Sequence, residues 1–179
     1  MATSRKPATR RTLNTKPEQR RASLDLLLAS PRRLFVSQGY RSTNLEQISG
    51  QAKLTKGAVY FYFGSKESLL IELLKQVQRI VVDDAIARVE AAGPHLTDKL
   101  VAYVHYQAAL GIRHRDEVLL LILMSLEFKE REGEVQAFIG RLYKRQRGFI
   151  EGLVRKGQAS GEFRTDLRGR ELAATILAI

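Results

Sequence analysis

The chain contains no cysteine. Disulfides, thiolate metal sites and cysteine nucleophiles are therefore excluded. Long apolar runs are missing too. The longest, Val118 to Leu126, is interrupted by Ser125 and covers about half of the roughly 20 residues a bilayer requires. Behind the basic N-terminus the only apolar patch is Leu26-Leu27-Leu28-Ala29, too short for a signal-peptide core. A cytoplasmic protein with no membrane partner is expected. There is no Ser/His/Asp arrangement, no Gly-rich phosphate loop and no HExxH. His95, His105 and His114 are not spaced on one helix face as metal ligands. The expectation is no enzyme, no cofactor and no metal, although a helical enzyme with dispersed carboxylates stays open. No internal repeat and no β-hairpin signal is found.

Acidic residues are also scarce, but only in one region. The net charge is +11. Residues 1–66 hold 13 Lys/Arg against 3 Asp/Glu, whereas residues 67–179 hold 17 against 16. A basic module on a neutral one points to a polyanion partner for the first third. At 44% hydrophobic and 27% charged over 179 residues, the chain has enough apolar matter for a core.

Residues 1–16 mix Arg and Lys with Thr, Ser, Asn and Pro and read as a disordered basic arm. Pro17 opens a helical pattern, and Ser30-Pro31 predicts a break or kink, because a mid-helix proline loses a hydrogen bond. Gly39 is the C-cap of the following helix. Thr43-Asn44-Leu45-Glu46 reads as a capping box with Thr43 at the N-cap. Thr55 caps a second short segment and Ser65 a long one running to Gly93-Pro94. Beyond it the period stays helical. Thr97 caps the next helix, Asp116 opens a short apolar helix expected to be buried, and the stripe Val135 to Val154 suits a dimer helix or a buried one. Ser160-Gly161 breaks it, and Asp166 caps the last helix.

Within this pattern, Val59-Tyr60-Phe61-Tyr62-Phe63 has the composition of a strand. A lone strand between flanking helices has no partner for its backbone. As a helix from Thr55, the stretch puts Leu54, Val59 and Phe63 on one side, with Ala58 and Tyr62 near the edge. Lys56, Gly57, Tyr60 and Phe61 then face outward. Two short capped helices joined by a three-residue turn make a helix-turn-helix.

At these residues the chain resembles a family. Thr43, Ile48, Ala52, Thr55-Lys56-Gly57, Val59-Tyr60, Tyr62-Phe63, Lys66-Glu67 and Leu69-Leu70 are similar to the N-terminal domain of TetR-family transcriptional regulators. Leu34-Phe35 and Gly39-Tyr40 fit upstream, and the match covers about residues 20–75. The expected fold class is all-α: a three-helix helix-turn-helix DNA-binding domain over 17–65, then a helical ligand-binding and dimerisation domain over 66–179. Three departures are noted. Pro31 replaces a small helical residue and Lys53 a turn glycine. The chain stops at Ile179 inside a helix the family usually continues, so an incomplete dimer region is expected.

The resemblance implies that the second helix of the pair enters the major groove of double-stranded DNA. Lys56 is then a candidate donor to guanine, Ala58 a contact for a thymine methyl, and Gly57 permits close approach. Tyr60 faces a base edge or phosphate, with Phe61 beside it, and Gln47 is a candidate from the first helix. Thr43, Tyr62 and Lys66 are expected on phosphates. The plain alternatives are a core role for Tyr62 and a solvated surface role for Lys66. The family binds a small effector among its C-terminal helices and dimerises there. Tyr103, Tyr106, Met124, Phe128 and Phe138 are candidates for that pocket, with core packing as the alternative. The resulting expectation is a homodimeric repressor released from a palindromic operator by a small molecule. The rival is an architectural, non-specific nucleic-acid binder that uses charge alone.

Overall fold

The computed structural model describes the backbone of residues 16–177 and the side chains of residues 28–177. Among these residues the chain is helical throughout, with no strand. The basic arm expected over 1–16 lies, apart from Lys16, outside the described residues.

Helix α1 (Lys16–Ser42) runs through Pro31 without a break. The break expected there is thus corrected, and the non-helical dihedrals fall instead at Gly39 (φ 82, ψ 165). Leu28, before the proline, and Leu34 and Phe35, after it, are buried in one core. Arg32, next to the proline, pairs with Glu117 across the contact with α7. Packing on both sides offsets the roughly 3 kcal/mol that an interior proline costs. Gly39 breaks the helix just before its last residues, because its positive φ is inexpensive only for glycine.

Helices α2 (Leu45–Ala52) and α3 (Lys56–Phe63) follow. The capping box is shifted by one residue from the expected Thr43–Glu46 pair. Asn44 accepts the Gln47 N–H at 2.9 Å, and Gln47 accepts the Asn44 N–H at 2.9 Å. Thr43 is unavailable for that role because its hydroxyl donates to the Gly39 carbonyl at 2.7 Å. Between the helices, Lys53 adopts the left-handed conformation (φ 53, ψ 38). Thr55 caps α3 by accepting the Ala58 N–H at 3.1 Å. The aromatic stretch is therefore helical, and Val59 and Phe63 anchor it in the core.

Ser65 caps α4 (Lys66–Gln78) through the Ser68 N–H at 3.0 Å. The long helix expected to run from here to Gly93-Pro94 is interrupted by a π-turn, Arg79–Asp83, before α5 (Asp84–Ala91). In that turn the Asp84 N–H reaches back to the Arg79 carbonyl. Then come α6 (Leu96–Arg113), α7 (Arg115–Glu127), α8 (Glu134–Ser160) and α9 (Gly169–Leu177). Thr97 does not cap α6; Glu162 does so from 66 residues away, accepting the Leu96 N–H at 2.8 Å. Nor does Asp166 cap α9. It pairs with Arg164 instead. Helix α7 buries Leu120, Leu121 and Met124 but exposes Ile122 and Leu126, so it is not wholly interior as expected. Gly161 (φ 80) ends α8 as anticipated.

Two apolar cores result. One is continuous from α1, α2 and α3 through α4 to α7 and the first half of α8. The other joins α5, α6, the second half of α8 and α9. The expected boundary at residue 65/66 is therefore crossed by one core. No helix among the described residues is long and apolar enough to cross a membrane.

Candidate nucleic-acid interface

Helix α3 is held from one side only. Val59 and Phe63 are buried, while Tyr60 is 47%, Phe61 85% and Tyr62 58% exposed. Gly57 is exposed and Ala58 half-buried, so the backbone at the start of the helix is open to close approach. Exposed Lys53 stands in the turn just before this helix, and exposed Arg41 lies at the end of α1, its Nε 3.8 Å from Glu127. Neither is among the contacts expected from the sequence pattern, although Lys53 is a basic residue between the paired helices.

Lys56 is paired in this arrangement with Glu46 of α2. That hydrogen bond raises the pKa of the lysine and lowers that of the carboxylate. Lys56 must leave Glu46 to reach a base. Both groups are well exposed, so water and salt screen the pair and the exchange is inexpensive. Gln47 is exposed, but its side-chain oxygen accepts from the Asn44 N–H and from Gln38 Nε2.

Two expected phosphate contacts are turned inward. Thr43 is only 1% exposed, its hydroxyl committed to Gly39. Lys66 Nζ donates to the carbonyls of Tyr40 at 2.9 Å and Thr43 at 2.8 Å. It also lies 4.2 Å from the centre of the Tyr40 ring. Partial burial lowers its pKa. Lys66 thus ties the first turn of α4 to the carbonyls at the end of α1, where a helix leaves acceptors unfilled.

A second tie comes from α7. Glu127 accepts the Tyr40 N–H and the Arg41 N–H, both at 3.0 Å. These amides follow the Gly39 break, so one carboxylate satisfies both. The neighbouring Phe128 meets the Tyr40 ring edge-on at 5.1 Å, and Phe35 packs on the same ring at 5.4 Å. Burial first, and then the carboxylates of Glu67 and Glu127, raise the Tyr40 pKa. Tyr40 is the hub of this junction. Glu127 carried no sequence signal, because its partners are backbone amides 86 and 87 residues away.

The residues expected to line a pocket are not brought together. Met124 is fully buried in the first core and Phe128 belongs to the Tyr40 junction. Phe138 packs against the first core. Tyr103 sits in the second core, its hydroxyl accepting from Gln146 at 2.9 Å. Tyr106 alone of the five borders a described cavity, a groove of about 540 Å³ between α5 and α6. The groove also carries Arg88, Arg113, His105, His114 and Asp84. The Tyr106 hydroxyl donates to the Ile80 carbonyl inside the π-turn at 2.6 Å. No cluster of three or more potential metal ligands occurs among the described residues.

Comparison with known proteins agrees with this geometry. The model for bacterial regulatory proteins of the tetR family matches residues 27–73. The MbdR regulator from Azoarcus sp. CIB is 36% identical, with a TM-score of 0.77 over 87% of this chain and 81% of that one. The HTH-type transcriptional repressor NicS of Pseudomonas putida is 28% identical over 166 residues, 89% of this chain and 74% of that protein. AibR, in complex with isovaleryl coenzyme A and operator DNA, shares the fold at 22% identity, with a TM-score of 0.73 over 87% of this chain and 82% of that one. The chain belongs to the TetR family of bacterial transcriptional regulators.

Proposed function

We propose that this regulator is a cytoplasmic homodimeric repressor. It reads a palindromic operator through α3 and leaves it when a small effector binds among the C-terminal helices. The outward surface of α3 carries this reading. Lys56, Gly57, Ala58, Tyr60, Phe61 and Tyr62 stand on one short helix, and Lys53 supplies charge in the turn before it. Cations position such a helix on phosphates, and groove-facing side chains choose the sequence.

Release requires an effector that favours one arrangement over another. Lys66 fastens α4 to the end of α1, and Glu127 fastens α7 to the same place. The α5–α6 groove reaches α4 through Tyr106 and the π-turn carbonyl. A molecule that displaces Tyr106 acts on the far end of the helix whose first turn holds the DNA-binding unit. Thioesters such as the isovaleryl coenzyme A that AibR holds are the first effectors to try.

Selection of bound sequences from random DNA tests the reading. A palindrome with half-sites one or more helical turns apart, about 10–10.5 base pairs each, is expected. Recovery of no preferred sequence, with equal affinity for random DNA at roughly physiological salt, favours the architectural binder instead. Lys56→Ala should weaken binding to the selected operator more than to random DNA. Equal losses on both would remove base reading by Lys56.

A further inference from the structure

Phe61 is 85% exposed on a helix whose other phenylalanine, Phe63, is anchored in the core. At about 100° per residue, Phe61 lies roughly 200° round the helix from both Val59 and Phe63. It therefore stands at the pole opposite the buried stripe, the position that reaches deepest when α3 lies in a groove. The ring meets the Tyr62 ring edge-on at 5.6 Å. One turn earlier on the same side, Gly57 leaves the surface low: a Cβ there would meet only Thr55 Oγ1, at 4.0 Å. The helix backbone can thus approach closely beside a single projecting aromatic ring.

The exposed cations closest to that ring in sequence are Lys56, on the same helix and paired with Glu46, and Lys53, in the turn before it. A phenylalanine offers a phosphate neither charge nor a hydrogen-bond donor. At the base edges of the major groove the apolar feature is the 5-methyl group of thymine. Resting on the reading of α3 as an operator-binding helix, we infer that Phe61 is a specificity-determining residue that packs on a thymine methyl in each half-site. Water excluded from ring and methyl together supplies the preference. It selects thymine over cytosine and over uracil, which lacks the methyl and keeps the same hydrogen-bonding edge.

The test uses the full chain and the operator recovered by selection. Each dT is replaced singly by dU and affinity is measured. One position per half-site should lose about fourfold, the effect of one buried methyl (about 0.8 kcal/mol) at 1.4 kcal/mol per tenfold. In Phe61→Ala that replacement should change nothing, while other positions respond as before. Thermal unfolding should be unaltered in this variant because the side chain is exposed. Selection repeated with Phe61→Asn should lose the thymine at that position and keep the rest of the motif, even where Phe61→Ala binds too weakly to titrate. A uracil penalty of equal size in both proteins assigns the methyl to another residue and overturns the inference. So does an operator that tolerates uracil throughout, or one whose thymine survives Phe61→Asn. Failure to recover any preferred sequence would instead remove the operator reading on which the inference stands.

Discussion

The junction around Tyr40 and the cluster around Gly157 are fastened in different ways. At the junction, two charged side chains fill unpaired backbone groups: Lys66 on the carbonyls of Tyr40 and Thr43, Glu127 on the amides of Tyr40 and Arg41. Around Gly157 the fastening is steric. The Phe163 ring lies where a Cβ on Gly157 would stand, and the Phe163 N–H donates to the Gly157 carbonyl at 2.9 Å. Hydrogen bonds near the surface exchange with water in small steps, whereas a close-packed interlock does not yield gradually. The contrast separates an adjustable link to the DNA-binding helices from a fixed frame that folds the turn after α8 back onto that helix.

Breaking the frame should have the largest effect. Gly157→Ala drives a methyl into the Phe163 ring, and overpacking at the upper end of its usual range costs about 3 kcal/mol. Urea unfolding reads this loss. DNA sequence preference should be unchanged in the protein that remains folded. A changed preference at unchanged stability would show that the frame, not the junction, governs reading.

Next in size is Lys66→Met, which keeps an apolar stem and removes the ammonium. Two charge-assisted hydrogen bonds and a ring contact are lost. The site is partly open to water, so about 2 kcal/mol is expected rather than the sum of the separate contributions. Affinity should fall alike for operator and random DNA, because Lys66 positions α4 against α1 and reads no base. A selective loss on phosphate-rich contacts, seen as a smaller salt dependence at unchanged stability, would return Lys66 to the DNA surface.

Glu127→Gln sharpens the comparison at the other clamp. The amide oxygen can still accept one N–H while the second is left to water, a change of about 1 kcal/mol. Hydrogen exchange at Tyr40 and Arg41 should quicken about fivefold at one of the two amides, with exchange around Gly157 untouched. Full protection at both would mean that α7 does not hold this turn.

Much of the fold is legible in sequence because the interactions are short. Thr55 and Ser65 find their partners three residues on, and Gly39 and Gly161 need only their own φ. The shifted capping box marks the limit of that logic. Thr43–Glu46 and Asn44–Gln47 both satisfy the pattern, and the Thr43 hydroxyl decides between them by bonding to Gly39. The cap from Glu162 to Leu96 and the clamp from Glu127 leave no local mark, since any carboxylate can serve a distant amide. The π-turn is silent because the apolar stripe continues across it, with Val77, Val81 and Ala85 all buried. On α3 the period alone separated Val59 and Phe63 from Phe61. It could not foretell that Lys66 points inward, nor could it tell a core tyrosine such as Tyr103 from a cavity tyrosine such as Tyr106.

Lys53→Gly should have the smallest effect, and its sign is opposite. Lys53 holds φ 53 and ψ 38 between α2 and α3, the single positive-φ residue other than glycine among those described. Glycine relieves about 1 kcal/mol of left-handed strain, so the melting temperature should rise. The same change removes an exposed cation beside α3. If Lys53 neutralises a phosphate, the slope of log affinity against log salt should shrink by about 1. Lys53→Ala separates the two consequences, since it removes the charge and keeps a Cβ in the strained conformation. It should reproduce the smaller slope without the gain in stability. An unchanged slope in both variants would mean that Lys53 holds the turn without touching DNA, and the strain at this position would then have no counterpart in binding.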